Sequence, residues 1–265
     1  MLTFDMSHMS VAITGGSSGI GLATAQLFLR AGAAVALCGR DKARLDAAHQ
    51  VLLDSHPSAR LLAVQADVLD PTQMAAFAQA AAKQFGFVSA LINNAGQGRV
   101  STFASTTDAE WLEELQLKFF SLLRPTRAFL PLLEKSTPAS IVCVNSLLAL
   151  QPEPHMVATS AARAGAMNLL RSLATELAPK GIRVNGILLG LVESGQWRRR
   201  FEARVDREQT WAQFTAALAL AKGIQLGRLG LPEEAAQAIF HLATPLSSYT
   251  TGSHIDVSGG LARHI

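Results

Sequence analysis

Thr14-Gly15-Gly16-Ser17-Ser18-Gly19-Ile20-Gly21 joins the apolar run Val11–Thr14 to Ile20–Ala31, an Ala/Leu-rich stretch of helical period. Glycines let a chain turn tightly and bring its backbone close to a ligand. The helix N-terminus that follows offers unpaired N–H groups suited to a pyrophosphate. The spacing is G-x3-G-x-G rather than the commoner G-x-G-x-x-G, so taken alone the turn also reads as an ordinary strand–helix connection.

Outward from this turn, strand-length apolar runs alternate with helix-period stretches. The runs are Val11–Thr14, Ala34–Cys38, Arg60–Gln65, Ala90–Asn93, Ser140–Asn145, Arg183–Ile187 and His254–Val257. The helical stretches are Ile20–Ala31, Lys42–Leu53 and Thr72–Phe85, then residues 107–134, 157–178, 196–222 and 233–243. Such alternation predicts βαβ units and a parallel sheet. No repeat, low-complexity tract or linker divides the chain, so residues 1–265 read as one domain. Asp70-Pro71 predicts an N-cap before an N1 proline, and Leu231-Pro232-Glu233-Glu234 a helix start with acids in its first turn. Pro179 and Gly181 end the helix before them, while Pro125 and Pro131 predict a kinked or shortened helix.

Hydrophobic residues make up 49% of the 265 and charged residues 16%, with a mean hydropathy of +0.24. That is too apolar for disorder and suits strands covered on both faces. The net charge of +3 is mild. The run Trp197-Arg198-Arg199-Arg200-Phe201 is followed by Glu202, Asp206 and Glu208, so it reads as a mixed helix face rather than a nucleic-acid stripe. Cys38 and Cys143 sit in apolar runs and predict buried free thiols and a cytoplasmic location. The histidines lack metal-ligand spacing, MLTFDMSHMS lacks the pattern of a signal peptide, and no run approaches the ~18 apolar residues of a membrane span. No metal, nucleic-acid or membrane partner is expected.

Further motifs follow in order. Asp67-Val68 follows the third run and Asn93-Asn94-Ala95-Gly96 the fourth; Gly181-Ile182-Arg183-Val184-Asn185, Leu226-Gly227-Arg228-Leu229-Gly230 and Val257-Ser258-Gly259-Gly260 come later. With the TGxxxGxG turn, these make the chain resemble the short-chain dehydrogenase/reductase family from Val11 to Gly260. The resemblance implies an α/β Rossmann fold, a doubly wound parallel sheet of about seven strands with helices on both faces, and an NAD(P)-dependent oxidoreductase acting on a small carbonyl or alcohol, assembled as a dimer or tetramer. It implies a phosphate cradle of Gly15, Ser17, Ser18, Gly19, Ile20 and Gly21. Asp67 and Val68 would flank the adenine, while Asn93, Ala95 and Gly96 would line the cofactor cleft. Gly190, Val192 and Ser194 stand where the family contacts the nicotinamide carboxamide, with Ser194 in place of its threonine, and residues 195–222 would form a substrate lid.

The second strand runs out at Cys38-Gly39-Arg40-Asp41. An NAD-specific site needs a carboxylate near this tip. In the family that position corresponds to Gly39, and the guanidinium of Arg40 can grip a 2′-phosphate, so NADP(H) is expected over NAD(H).

The family's proton-handling group is Asn, Ser, Tyr and Lys. By resemblance Ser146 supplies the serine, but Y-x-x-x-K reads Thr159-Ser160-Ala161-Ala162-Arg163, and the asparagine position carries Lys118. The single tyrosine, Tyr249, lies elsewhere in the chain. An aliphatic hydroxyl cannot replace a phenol of pKa ≈ 10, and arginine does not release its proton. Another acid is therefore expected: His155, assisted by Lys118, with its imidazole one helical turn before Thr159 if the helix starts early and its loop stiffened by Pro152 and Pro154. The alternative is a catalytically inactive dinucleotide-binding protein. Leu147, Leu148, Met156, Val157, Trp197 and Phe201 predict an apolar substrate site. Small residues at helical spacing (Ala158, Ala161, Ala162, Gly165, Ala166) predict close helix approach between copies.

Overall fold

The structure, a computed structural model, describes residues 4–204 and 208–263. Among these, seven strands form one sheet: β1 (Ser10–Thr14), β2 (Ala34–Gly39), β3 (Leu61–Gln65), β4 (Ala90–Asn93), β5 (Ala139–Ser146), β6 (Ile182–Leu189) and β7 (His254–Val257). Their order is β3-β2-β1-β4-β5-β6-β7, and every pairing is parallel. Side chains alternate along each strand, which explains why the runs are apolar throughout. Val11 and Ile13 enter the core on one face and Ala12 the core on the other.

The helices are α1 (Gly19–Arg30), α2 (Lys42–Ser55), α3 (Pro71–Phe85), α4 (Asp108–Leu133), α5 (Val157–Leu177), α6 (Gly195–Glu202), α7 (Trp211–Lys222) and α8 (Pro232–Ala243). One face is covered by α1, α2 and α8 through Phe28, Leu45 and Phe240. The other is covered by α3, α4 and α5 through Phe77, Phe129 and Leu170. Asp70 caps α3 by accepting from Thr72 and Gln73 N–H, with Pro71 beside it, as the sequence predicts. Strand order reverses between β1 and β4, and in such sheets ligands bind in the crevice at the strands' carboxyl ends.

Two expectations need correction. Pro125 and Pro131 do not end α4, which continues to Leu133. Packing holds it: Leu122, Phe129 and Leu133 are buried, and Phe129 meets Phe77 edge-on with centroids 5.1 Å apart. The single helical stretch 196–222 is two helices; α6 ends at Glu202, and α7 starts after Thr210, whose side chain accepts from Gln213 N–H. Residues 205–207, Asp206 among them, lie outside the described residues. The small residues of α5 let α4 approach closely within the chain, while Ala161 is exposed. Ala158, Ala162 and Ala166 are buried, and at Gly165 a Cβ would stand 2.6 Å from Phe119 Cζ of α4.

Candidate active site

A cleft of about 680 Å³ opens at the carboxyl ends of the strands around the reversal point. Gly15 turns the chain with φ +67°, and Asn94 Nδ2 braces the turn by donating to the carbonyls of Thr14 and Gly15, both at 3.0 Å. Gly21 permits the helix to pass close to the turn: a Cβ there would lie 2.2 Å from Gly15 O. Ser18 precedes α1 but makes no side-chain cap, which leaves the first-turn N–H groups open to the cleft. A Cβ on Gly19 or Gly96 would meet no protein atom within 4 Å, so both glycines border open space. Backbone donors and a cradle of this shape fit a dinucleotide pyrophosphate.

Gly15, Ser17, Ser18, Gly19 and Ile20 form one stretch of the cleft wall, with Val68, Ala95 and Gly96 beyond them. Gly190, Val192 and Ser194 form the wall after β6. Of the residues expected to line the cleft, Asn93 is buried behind its wall. Gly21 is inside the turn, Asp67 Oδ1 accepts from Leu69 N–H at 2.9 Å, and buried Asn93 donates through Nδ2 to Thr126 Oγ1 at 3.1 Å. Arg40 is exposed on the wall; its Nη1 lies 4.0 Å from Asp67 Oδ2, while Asp41 is taken by Arg44 at 2.9 Å. Arg44 also lines the cleft and was not evident in the sequence. A Cβ at Gly39 would stand 3.1 Å from Ser17 Oγ.

At the far end, β5 delivers Ser146 to the wall, where Oγ donates to Leu189 O at 3.2 Å and accepts from Leu148 N–H at 3.3 Å. Arg163 also lines the wall and donates through Nη1 to Asn145 Oδ1 at 3.2 Å; its buried Nε has no protein partner. Burial pushes this guanidinium down to about 10. An unpartnered donor there fits a ribose hydroxyl.

Thr159 is fully buried and absent from the wall. Its hydroxyl lies 2.5 Å from Glu114 Oε2, to which it donates, and it accepts from Arg99 N–H at 3.3 Å. Lys118 does reach the wall. Its Nζ donates to Glu114 Oε2 at 3.0 Å and to Gln97 O at 2.7 Å, and 5% of the side chain is exposed. Burial, then the nearby Arg163 charge, push the ammonium down to about 8 against the opposing pull of Glu114. Glu114 was missed in the sequence; its signal was the four-residue spacing to Lys118, which ordinarily marks a solvated pair.

His155 lines the cleft at its rim, half exposed, with Nε2 3.3 Å from Glu153 Oε2. Because α5 starts only at Val157, the expected one-turn relation between His155 and Thr159 does not form. Tyr249 is fully exposed and away from the cleft. Trp197, Leu147, Leu148 and Met156 face the cleft, whereas Phe201 packs on Trp211 and Phe214 at 5.3 and 5.5 Å within the α6–α7 segment. Lys222 at the end of α7 ties to Glu153 at 2.8 Å. Cys38 and Cys143 are free, and burial pushes both thiols up to about 12. Among the described residues no helix is long and apolar enough to cross a membrane.

The short chain dehydrogenase family model matches residues 9–205. The chain belongs to that family. A short chain oxidoreductase of Pseudomonas aeruginosa, described as containing an atypical catalytic center, is 68% identical in its apo structure, with a TM-score of 0.97 over 99% of this chain and 100% of that one. Its NADPH-bound structure aligns with 66% identity and a TM-score of 0.95, over the same shares of the two chains. A 3-oxoacyl acyl-carrier-protein reductase of Chlamydia muridarum is 31% identical over 96% of this chain and 98% of its own. L-sorbose reductase of Gluconobacter frateurii, solved with NADPH and L-sorbose, is 29% identical with a TM-score of 0.93, covering both chains fully.

Proposed function

We propose that this family member is an NADP(H)-dependent oxidoreductase acting on a small carbonyl or alcohol, with Lys118 and Ser146 facing the reacting oxygen. When bound, the nicotinamide supplies or accepts the hydride. The observation that carries the proposal is the exchange of places between two side chains: Lys118 stands on the cleft wall, and Thr159 is turned behind it. An ammonium near 8 can give a proton to the oxygen of a carbonyl under reduction, and the Ser146 hydroxyl can polarise that oxygen. Arg163 would hold the ribose, and Arg40 with Arg44 the 2′-phosphate. The NADPH complexes of the Pseudomonas and Gluconobacter relatives support the cofactor assignment. The α6–α7 segment, tethered through Lys222, is the substrate lid.

His155 stays in the proposal at the rim, near an incoming substrate. The same reading places the protein in the cytoplasm as a homo-oligomer, for which exposed Phe103, Leu112 and Leu115 offer an apolar surface. The test is NADPH consumption against a panel of ketones. Turnover that Lys118→Arg abolishes supports the proposal. Tight NADPH binding with no turnover on any ketone, or on alcohols in reverse, would leave the inactive dinucleotide-binding protein as the function.

A further inference from the structure

We infer that Glu114 is the positioning residue of the proton path, holding the Lys118 ammonium at the cleft wall and setting the pH at which it gives up its proton. The inference rests on the reading of Lys118 as proton donor. One carboxylate oxygen, Glu114 Oε2, takes both the Lys118 ammonium and the Thr159 hydroxyl. Both α4 side chains are buried, with 3% and 5% exposed. Thr159 adds a second tether from α5 and a third from the Arg99 backbone. The Lys118 Nζ that this anchor fixes also donates to Gln97 O in the loop beside the cleft.

Three charges face Lys118. Glu114 lies on its own helix, Arg163 on α5 and Arg99 on the loop after β4. Arg99 is itself engaged by Glu113 at 2.7 Å. Glu114 is therefore the only one of the three that favours the ammonium, and it acts against burial and two guanidiniums. The step it serves is a balanced one. With a reduced nicotinamide as the hydride donor, its C–H bond would break as the carbonyl carbon gains the hydride and the nicotinamide would be left oxidised, the C=O π pair would move to oxygen, and the N–H bond of Lys118 would break as the O–H bond forms. Lys118 is left neutral beside a Glu114 carboxylate, and solvent returns the proton.

Glu114→Gln tests this, since the amide oxygen can still accept from Thr159. Without the anionic partner, the pH at which carbonyl reduction falls off should move to lower pH by about one unit or more, as expected for an opposite charge at this distance. NADPH affinity should stay within a few-fold. An active variant with an unmoved limb would overturn the inference while leaving the proposed function standing. Absence of turnover in the unmutated protein would fault the function instead. A readout independent of activity and of variant folding is the carboxyl ¹³C resonance of Glu114 in the unmutated protein. It should show an inflection where Lys118 deprotonates, as coupled sites do. A flat trace through that range would overturn the inference.

Discussion

Lys118 Nζ lies 3.0 Å from Glu114 Oε2, one helical turn back on α4, and the two side chains are almost wholly buried, with Lys118 alone of the pair reaching the cleft wall. Breaking such a pair leaves an uncompensated buried charge, which typically destabilises by about 3–5 kcal/mol. Tests of the proton path are therefore best made with substitutions that keep the charge or the hydrogen-bonding shape.

Lys118→Arg keeps the charge beside Glu114 but holds its proton too tightly to donate it. Carbonyl turnover should fall by roughly 10²–10⁴-fold, the usual contribution of a general acid. NADPH binding, followed by fluorescence, should change little. In the unmutated protein, carbonyl reduction should fall off as pH rises through about 8, because only the ammonium donates. Alcohol oxidation should rise over the same interval.

Thr159→Val should separate location from chemistry. The hydroxyl is bonded behind the wall to Glu114 and Arg99, so turnover should drop less than about tenfold while thermal unfolding reports a loss of about 1–2 kcal/mol from the missing buried hydrogen bond. A loss of turnover comparable to that of Lys118→Arg would put the hydroxyl into the chemistry.

His155→Ala should lower turnover less than about tenfold, below the range of a general acid, since the ring sits at the rim against Glu153. A larger loss at unchanged substrate KM would return His155 to the role its sequence context suggests.

Arg40→Ala should weaken NADPH by about 10–100-fold, the value of one or two charge-assisted hydrogen bonds, and leave NADH nearly untouched. Calorimetric titration with both dinucleotides checks it; equal losses for the two would remove Arg40 from 2′-phosphate recognition.

At the start of α8, Glu234 bonds Arg228 at 2.6 Å and the Leu231 N–H at 2.7 Å, and these hold its carboxyl down to about 2. Its stabilisation is fully present above the ordinary carboxylate range and fades as pH falls from there toward 2. Glu234→Ala should lose about 1 kcal/mol at neutral pH, after solvent screening of an exposed pair, and converge with the unmutated protein in acid denaturation.

The strand and helix order was legible because strands covered on both faces read as unbroken apolar runs. The glycine turn was legible because phosphate recognition there is done by backbone, which only glycine permits. The proton-handling end was less so. Glu113 and Glu114 are adjacent and chemically equal in sequence, yet Glu113 pairs with Arg99 in solvent and Glu114 is buried. Which of the two turns inward depends on where α4 meets α5. The direction of the Thr159 hydroxyl depends in turn on that carboxylate. The break between α6 and α7 does have a sequence signal, the polar run Asp206-Arg207-Glu208-Gln209-Thr210 with the capping spacing of Thr210 and Gln213.

Phe119 fills the gap at Gly165, and it follows Lys118 directly in the chain. The two long helices are thus gauged apart by a single ring with no side chain opposing it. A larger residue at 165 would wedge α4 outward and shift its first displacement into the Lys118–Glu114–Thr159 junction, while the glycine turn on β1, carried by other elements, would keep its shape. The cleft is mechanically divided: cofactor capture and proton delivery can drift independently, and a chain of this build can change its acid without rebuilding its grip on the dinucleotide.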